Sequence, residues 1–320
     1  MINTLSNFRD AIRAAGLEPP DAIEPGKLHR FPGNGKRPGN RAGWCLLFDD
    51  GLGGCFGDWS TGISKTWQAK RDKPFLRAER AAFARRVEAA KQQAEAERNA
   101  RQTNAAKRAT AIWKMATPSP ANHPYLIRKR IRPHRARIHK GALTLPVMDF
   151  TGKLTSLQFI AADGGKLLLS GGRKQGCFIP LVADMENPSR VIICEGWATG
   201  CTLAEDEPAA LVLAAIDAGN LVPVAIAARR HWPSTELVIA GDDDRLTAGN
   251  PGATKAKAAA IASGALLALP QWREDAPEHL TDFNDLAVWL AGDERMTNRQ
   301  ESRFARPEAA RKGAAHGGAA

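Results

Sequence analysis

With 320 residues, 45 Lys and Arg against 34 Asp and Glu, and a net charge of +11, the chain can bury one large core or two modest ones and suits a polyanionic partner. The five cysteines, Cys45, Cys55, Cys177, Cys194 and Cys201, contain no Cys-x-x-Cys pair, which argues against a disulfide framework or zinc ribbon and for the reduced thiols of a cytoplasmic protein. No basic region followed by an apolar block opens the chain, and Asp217, Gly219, Asn220 and Pro223 interrupt the apolar stretch from Ala209 to Ala228, so neither a secretory signal nor a membrane span is predicted.

Apolar spacing predicts an amphipathic helix over Leu5–Ala15, closed at Gly16. A Gly/Pro/basic loop follows from His29 to Arg41, and then a hairpin turned at Asp50-Gly51, which together read as a small β-rich module over residues 1–67. Its Phe31, Trp44, Phe48, Phe56, Trp59 and Trp67 are either the core of a small sheet or, beside Lys36, Arg37 and Arg41, a platform for single-stranded bases. Neither glycine-rich stretch ends in Gly-Lys-Ser/Thr, so no phosphate-binding loop of an ATPase is read. Residues 68–117 have the composition of a charged, solvated helical linker, from Pro74 to Met115, whose basic face is also suited to tracking phosphates.

Residues 118–190 form a basic subdomain. Between Lys65 and Lys140, a stretch that begins in the linker and runs into this subdomain, there are 21 Lys and Arg and 5 Asp and Glu, so the chain's surplus of positive charge is regional. Tyr125 opens the densest run, Arg128, Lys129, Arg130, Arg132, Arg135, Arg137 and Lys140, which contains no acid and is assigned to DNA phosphates. Alternating segments to either side of Phe150-Thr-Gly152 predict antiparallel strands, and Lys166, Arg173 and Lys174 then surround a glycine pair.

The apolar run Val191-Ile-Ile-Cys194 stops at Glu195-Gly196, and a second, Leu237–Ala240, runs into Gly241-Asp242-Asp243-Asp244. Helices predicted at Ala198–Glu205 and Ala253–Ser263, a further one ending at Arg230, and strands at Ala210–Ala215 and Ala265–Leu269 alternate with these runs, which implies a parallel sheet with right-handed crossovers. Side chains at the carboxyl ends of such strands share one crevice, and acids gathered there repel one another unless a cation lies between them. Asp217-Ala-Gly-Asn220 is either an ordinary turn or a lining of that crevice, Lys255 sits where a helix N-terminus could receive a phosphate, and Asp282 is placed to cap a helix at Leu286–Leu290. The tail from Asp293 lacks apolar periodicity and is expected to be disordered.

Glu195 on one strand with Asp242 and Asp244 on a later one resembles the Toprim fold, and Glu195-Gly-Trp-Ala-Thr-Gly200 is similar to the Glu-Gly-Tyr-Ala-Thr-Ala signature of conjugative-plasmid primases, with Trp197 and Gly200 as departures. The resemblance implies an α/β fold: a Toprim-like parallel sheet flanked by helices over 191–292, preceded by a small basic α+β subdomain and the β-rich N-terminal module. It also implies a plasmid- or phage-type DNA primase that makes short RNA primers from ribonucleoside triphosphates on single-stranded DNA, with a separate replicative helicase as a possible partner. Asp242 and Asp244 are then magnesium or manganese ligands, Glu195 a general base or further ligand, Asp282 and Asp285 additional acids, and Lys166, Arg173, Lys174 and Lys255 contacts to nucleotide or template. No zinc is expected. Two alternatives stay open: a Toprim nuclease using the same acids, and a non-catalytic single-strand-binding replication factor. A topoisomerase fits poorly, since Tyr125 is the only tyrosine available as a nucleophile.

Overall fold

A computed structural model describes residues 2–71, 76–182 and 185–292, so the expected tail from Asp293 lies outside the described residues. The chain divides into two compact units, Met1–Arg101 and Gln102–Ala320. In the first, helix α1 (Ile2–Ala14) precedes an antiparallel sheet of β1 (Leu28–Phe31), β2 (Gly43–Leu47), β3 (Gly53–Asp58) and β4 (Ile63–Gln68), paired in that order. Every residue of β2 is buried, and its period of two divides the strand between two packed faces. Cys45 and Leu47 face Phe8, Ile12 and Leu17 on one side, while Trp44 and Leu46 face Ala90 and Ala94 on the other.

Those two alanines belong to α2 (Arg77–Met115), an uninterrupted helix of 39 residues. The expectation of a fully solvated linker needs correction, because a stripe of small side chains on this helix, Ala90, Ala94, Ala105 and Ala109, is buried. The hydropathy pattern conceals this stripe, since alanine contributes little apolar area yet permits close approach. The aromatics of the N-terminal module likewise resolve in favour of a core: Phe31, Trp44, Phe48 and Phe56 are all buried, and none of the four offers a face to a base.

The second unit opens with β5 (Thr117–Pro118), α3 (Pro124–Lys129), β6 (Arg137–His139), β7 (Ala142–Met148), β8 (Leu154–Ile160) and β9 (Lys166–Leu168). Strands β5 to β9 form an antiparallel sheet in sequence order, with β7 and β8 joined through the turn at Gly152 as the alternation implied. Next come β10 (Ile179–Pro180), β11 (Arg190–Cys194), α4 (Trp197–Asp206), β12 (Leu211–Ala214), α5 (Leu221–His231), β13 (Glu236–Ala240), α6 (Pro251–Ser263) and β14 (Leu266–Ala268), with residues 283–292 helical. Their sheet runs β10-β12-β11-β13-β14, with β12, β11, β13 and β14 parallel and β10 antiparallel at one edge.

Alternation divides this sheet's residues between two cores. Ile192, Cys194, Val212, Ala214, Val238 and Ala240 pack with Trp197, Ala198 and Cys201 of α4, and Val191, Ile193, Leu211, Leu213, Leu237 and Ile239 pack with α5 and α6. Continuous apolar runs are what a parallel strand covered on both faces requires. From β11 the chain crosses to β12 on one side and then to β13 on the other, so the connections reverse direction at β11. Open α/β sheets bind ligands at that reversal, beyond the carboxyl ends of the strands.

All five cysteines are buried thiols. Burial raises the pKa of Cys45 to about 12 and places those of Cys194 and Cys201 well above the ordinary thiol range.

Candidate active site at the carboxyl ends of two parallel strands

Cys194 pairs in register with Ala240, so Glu195 and Gly241-Asp242 emerge side by side where β11 and β13 end. Burial pushes the Asp242 carboxyl up to about 8, reinforced by the charges of Glu195, Asp282 and Asp244 and opposed by Lys166. The Glu195 carboxyl is also raised, first by burial, against an Ala218 N–H that lowers it; Asp217 and Asp244 push it up and Lys166 pulls it down. For Asp282 burial again dominates, with the charge of Asp285 adding to it. Raised carboxylates acting on one another at adjoining strand ends mark a site prepared for positive charge.

The three successive aspartates diverge because α6 begins immediately beneath them. Asn250, in the left-handed region at φ 41°, caps α6 through the Ala253 N–H at 3.3 Å and accepts the Asp244 N–H at 2.9 Å. Asp244 in turn accepts the Gly252 N–H at 2.8 Å, at the positive end of α6. A side chain at Gly252 would place its Cβ 2.7 Å from the Asp242 carbonyl oxygen and 2.9 Å from Asp244 Oδ2, so the close approach requires glycine. Asp243 turns aside, held by Asn250 Nδ2 at 2.6 Å and Trp272 Nε1 at 2.8 Å.

Asp242 Oδ1 is buried and has no hydrogen-bond partner, an arrangement suited to ligating a cation. Among the described residues no three His, Cys, Asp or Glu side chains form a ready-made metal group. Oxygen donors that supply only part of a coordination shell suit a hard divalent ion that keeps waters and takes its remaining ligands from substrate phosphates. Glu195, Asp242 and Asp244 are the acids that these two strand ends bring within reach of one another.

The predicted cations fall into two groups. Exposed Lys166 acts on both Glu195 and Asp242, and Lys174 forms an ion pair with Asp217, so these two border the acids. Arg173 is paired with Asp149, and Lys255 is exposed as the fifth residue of α6. Beside Lys174, the buried Asn220 amide accepts the Gly176 N–H at 2.9 Å and donates to the carbonyls of Lys174, Cys177 and Ala215 at 3.1, 2.8 and 2.8 Å. It fastens the basic turn to the end of β12, where Ile216 adopts a left-handed φ of 81° that a β-branched residue rarely tolerates.

Several cations of the run assigned to DNA also bond within the protein. Lys129 pairs with Asp285 at 3.1 Å, Arg128 donates to the Ala162 carbonyl, Arg130 to that of Val288, Arg135 to that of Val182, and Arg137 to that of Trp113 at 2.6 Å. Arg132 and Lys140 are exposed. Tyr125 is 3% exposed and stacks on Trp197 at 6.4 Å between ring centroids, with its hydroxyl pushed up to about 12 by burial, which makes it a packing residue rather than a DNA contact or a nucleophile. Asp282 caps the helix over 283–292 through the Asp285 N–H at 2.8 Å, as its position implied. Buried Asn284 bonds the Lys129 carbonyl at 2.7 Å and the Thr202 hydroxyl at 2.9 Å. In the sequence Asn220 stands out only as a turn or crevice residue, Asn250 as the opening of a helix and Asn284 as part of the helix-cap stretch Thr281–Asp285, while Trp272 carries no expected role. Asn250, left of a Pro-Gly helix start, has a local signal.

Residues 190–291 match the Toprim domain, so the chain carries one. Over most of its length it is similar to DNA primase TraC: two Escherichia coli proteins of that name are 33% identical over 289 residues, 82% of this chain, and 34% identical over 325 residues, 93% of this chain. The chain spans only about a quarter of those relatives, 26% of the first and 21% of the second. Among solved structures, the primase fragment of the bacteriophage T7 primase-helicase protein is 11% identical, covering 84% of this chain and 98% of that chain at a TM-score of 0.39. The catalytic domain of the DnaG primase bound to single-stranded DNA is 17% identical, covering 57% and 59% at a TM-score of 0.33.

Proposed function

We propose that the chain is the catalytic portion of a plasmid-type DNA primase, extending RNA primers on single-stranded DNA by nucleotidyl transfer. The supporting observation is the acid crevice, where Glu195, Asp242 and Asp244 meet at adjacent strand ends with Asp242 Oδ1 unpartnered and Lys166 opposite. Similarity to DNA primase TraC across nine-tenths of the chain directs that chemistry toward primer synthesis.

Chain extension joins a 3′-hydroxyl to the α-phosphate of a nucleotide as pyrophosphate leaves. Bound magnesium would supply charge stabilisation at the phosphoryl oxygens and acidify the hydroxyl. Glu195, whose proton affinity is raised by burial, takes up the hydroxyl proton as the new bond forms. Lys166 and Lys174 bind and orient the triphosphate, and Asp217 holds Lys174 until it arrives. Asp244 is kept aimed by the Gly252 N–H, and Asp282, fixed at its helix cap, adds to the negative field around Asp242. In this reading the chain works in the cytoplasm with ribonucleoside triphosphates, a single-stranded template and a separate helicase.

The test is incorporation of labelled ribonucleotides on single-stranded DNA with magnesium. Glu195→Gln and Asp244→Ala are expected to lower incorporation about 10²-fold or more while single-strand binding persists, and Tyr125→Phe to keep most of it. Degradation of the template without product would indicate a Toprim nuclease. Full incorporation by Glu195→Gln would remove the catalytic assignment.

A further inference from the structure

The first unit carries a cluster of arginines that the acid crevice does not use. Arg30 on β1 lies over the Trp59 ring at 3.9 Å, and Arg98 on α2 approaches the same ring at 5.9 Å. Arg30 donates to Glu97 at 2.9 Å and to the Gly43 carbonyl at 3.3 Å, and Arg98 pairs with Glu95 at 3.4 Å. Arg41 and Arg101 act on Arg30 from nearby; burial first, and then these charges, lower the Arg30 guanidinium to about 10. Arg30 and Arg98 thus each hold one carboxylate, while Arg41 and Arg101 add positive charge beside Arg30, whose side chain is only 12% exposed.

Like charges gathered around a largely buried side chain cost free energy unless a polyanion neutralises them. The indole decides which part of a nucleic acid would fit. Trp44 stacks near Trp59 at 6.2 Å with an interplanar angle of 26°, and Arg30 covers the ring, so Trp59 serves as a platform for guanidinium groups rather than for bases. We infer that Arg30, Arg41, Arg98 and Arg101 form a second, base-independent site for the phosphodiester backbone of single-stranded nucleic acid in the N-terminal unit. Choosing a nucleic-acid strand as the occupant rests on the primase reading; the phosphate chemistry rests on the arginines themselves.

The experiment uses the full chain and fluorescently labelled oligo-dT of about 20 nucleotides, long enough to cross more than one contact region, with anisotropy followed from roughly 50 to 200 mM salt. Arg41→Ala/Arg101→Ala spares the packed Arg30 and Arg98, and Lys36→Ala/Arg37→Ala removes the same charge from a neighbouring exposed loop. The first double variant is expected to melt like wild type, to bind oligo-dT and oligo-dA equally less tightly, and to lower the salt slope by about 1.4, from about 0.7 per lost contact. The loop variant is expected to change the slope less. An unmoved slope in Arg41→Ala/Arg101→Ala, an equal loss in the loop variant, or no oligo-dT binding by wild type overturns the site. If wild type makes no primers yet the slope falls as expected, the primase reading fails and the backbone site stands. If wild type makes primers and the slope stays unmoved, the primase reading stands and the backbone site fails.

Discussion

Asp242→Asn is expected to raise thermal stability in metal-free buffer at pH 8 while lowering primer synthesis about 10²–10³-fold. The native Asp242 carboxyl holds its proton up to about pH 8, whereas an unfolded one releases it near the ordinary carboxylate value. A raised native pKa contributes stability that is complete below the unfolded value and lost as pH climbs through the native one. The wild type should therefore weaken between about pH 4 and 8 relative to the variant, whose amide imitates the protonated acid, and the gap should reach about 2–5 kcal/mol at the upper end. For a unit of this size that is about 5 °C or more in Tm. Magnesium should close the gap, because an ion held by Asp242 stabilises only the wild type, by about 2.7 kcal/mol at a hundredfold excess over Kd. Melting curves across pH, with and without magnesium, check this; a variant no more stable than wild type at pH 8 would show that neither burial nor the neighbouring acids penalise the Asp242 charge.

Asn220→Ala should have the largest effect on folding among the residues around the site. At 2% exposure its amide NH2 serves the Lys174, Cys177 and Ala215 carbonyls and its oxygen accepts the Gly176 N–H, so truncation removes the side-chain donor from the Cys177 and Ala215 carbonyls and the acceptor of the Gly176 N–H, while the Lys174 carbonyl keeps the Cys177 N–H. The expected loss is about 3 kcal/mol or more, read from denaturant unfolding. Releasing the turn that carries Lys174 should also raise KM for ribonucleotides more than it lowers kcat, because the acids on β11 and β13 keep their own supports. An unchanged KM in the folded variant would separate Lys174 from nucleotide binding.

The positions of Glu195, Asp242 and Asp244 were legible because a parallel strand announces its end locally: an apolar run stops and a carboxylate follows. Register then brings Cys194 beside Ala240, and the sheet does the rest. The internal bonds of the run Arg128–Arg137 were not legible, for the complementary reason. Charge density is visible in one dimension, but whether Arg137 reaches a phosphate or the Trp113 carbonyl depends on where a distant helix ends. Asn220 and Asn284 looked like turn and cap formers, since nothing local distinguishes an asparagine facing water from one that joins segments far apart in sequence. Gly200, a departure from the primase signature, gains its reason from packing: a Cβ there would lie 3.0 Å from Leu181 and 3.1 Å from Cys194 Sγ.

The buried thiols provide a clock for the molecule's openings. Cys45 and Cys55 belong to one unit and Cys177, Cys194 and Cys201 to the other, and all five are shielded in the folded chain. An alkylating reagent would mark each only when its surroundings come apart. Mass spectrometry of the labelled peptides would time the two units separately within one unmodified sample, without a dye, a tag or a substitution.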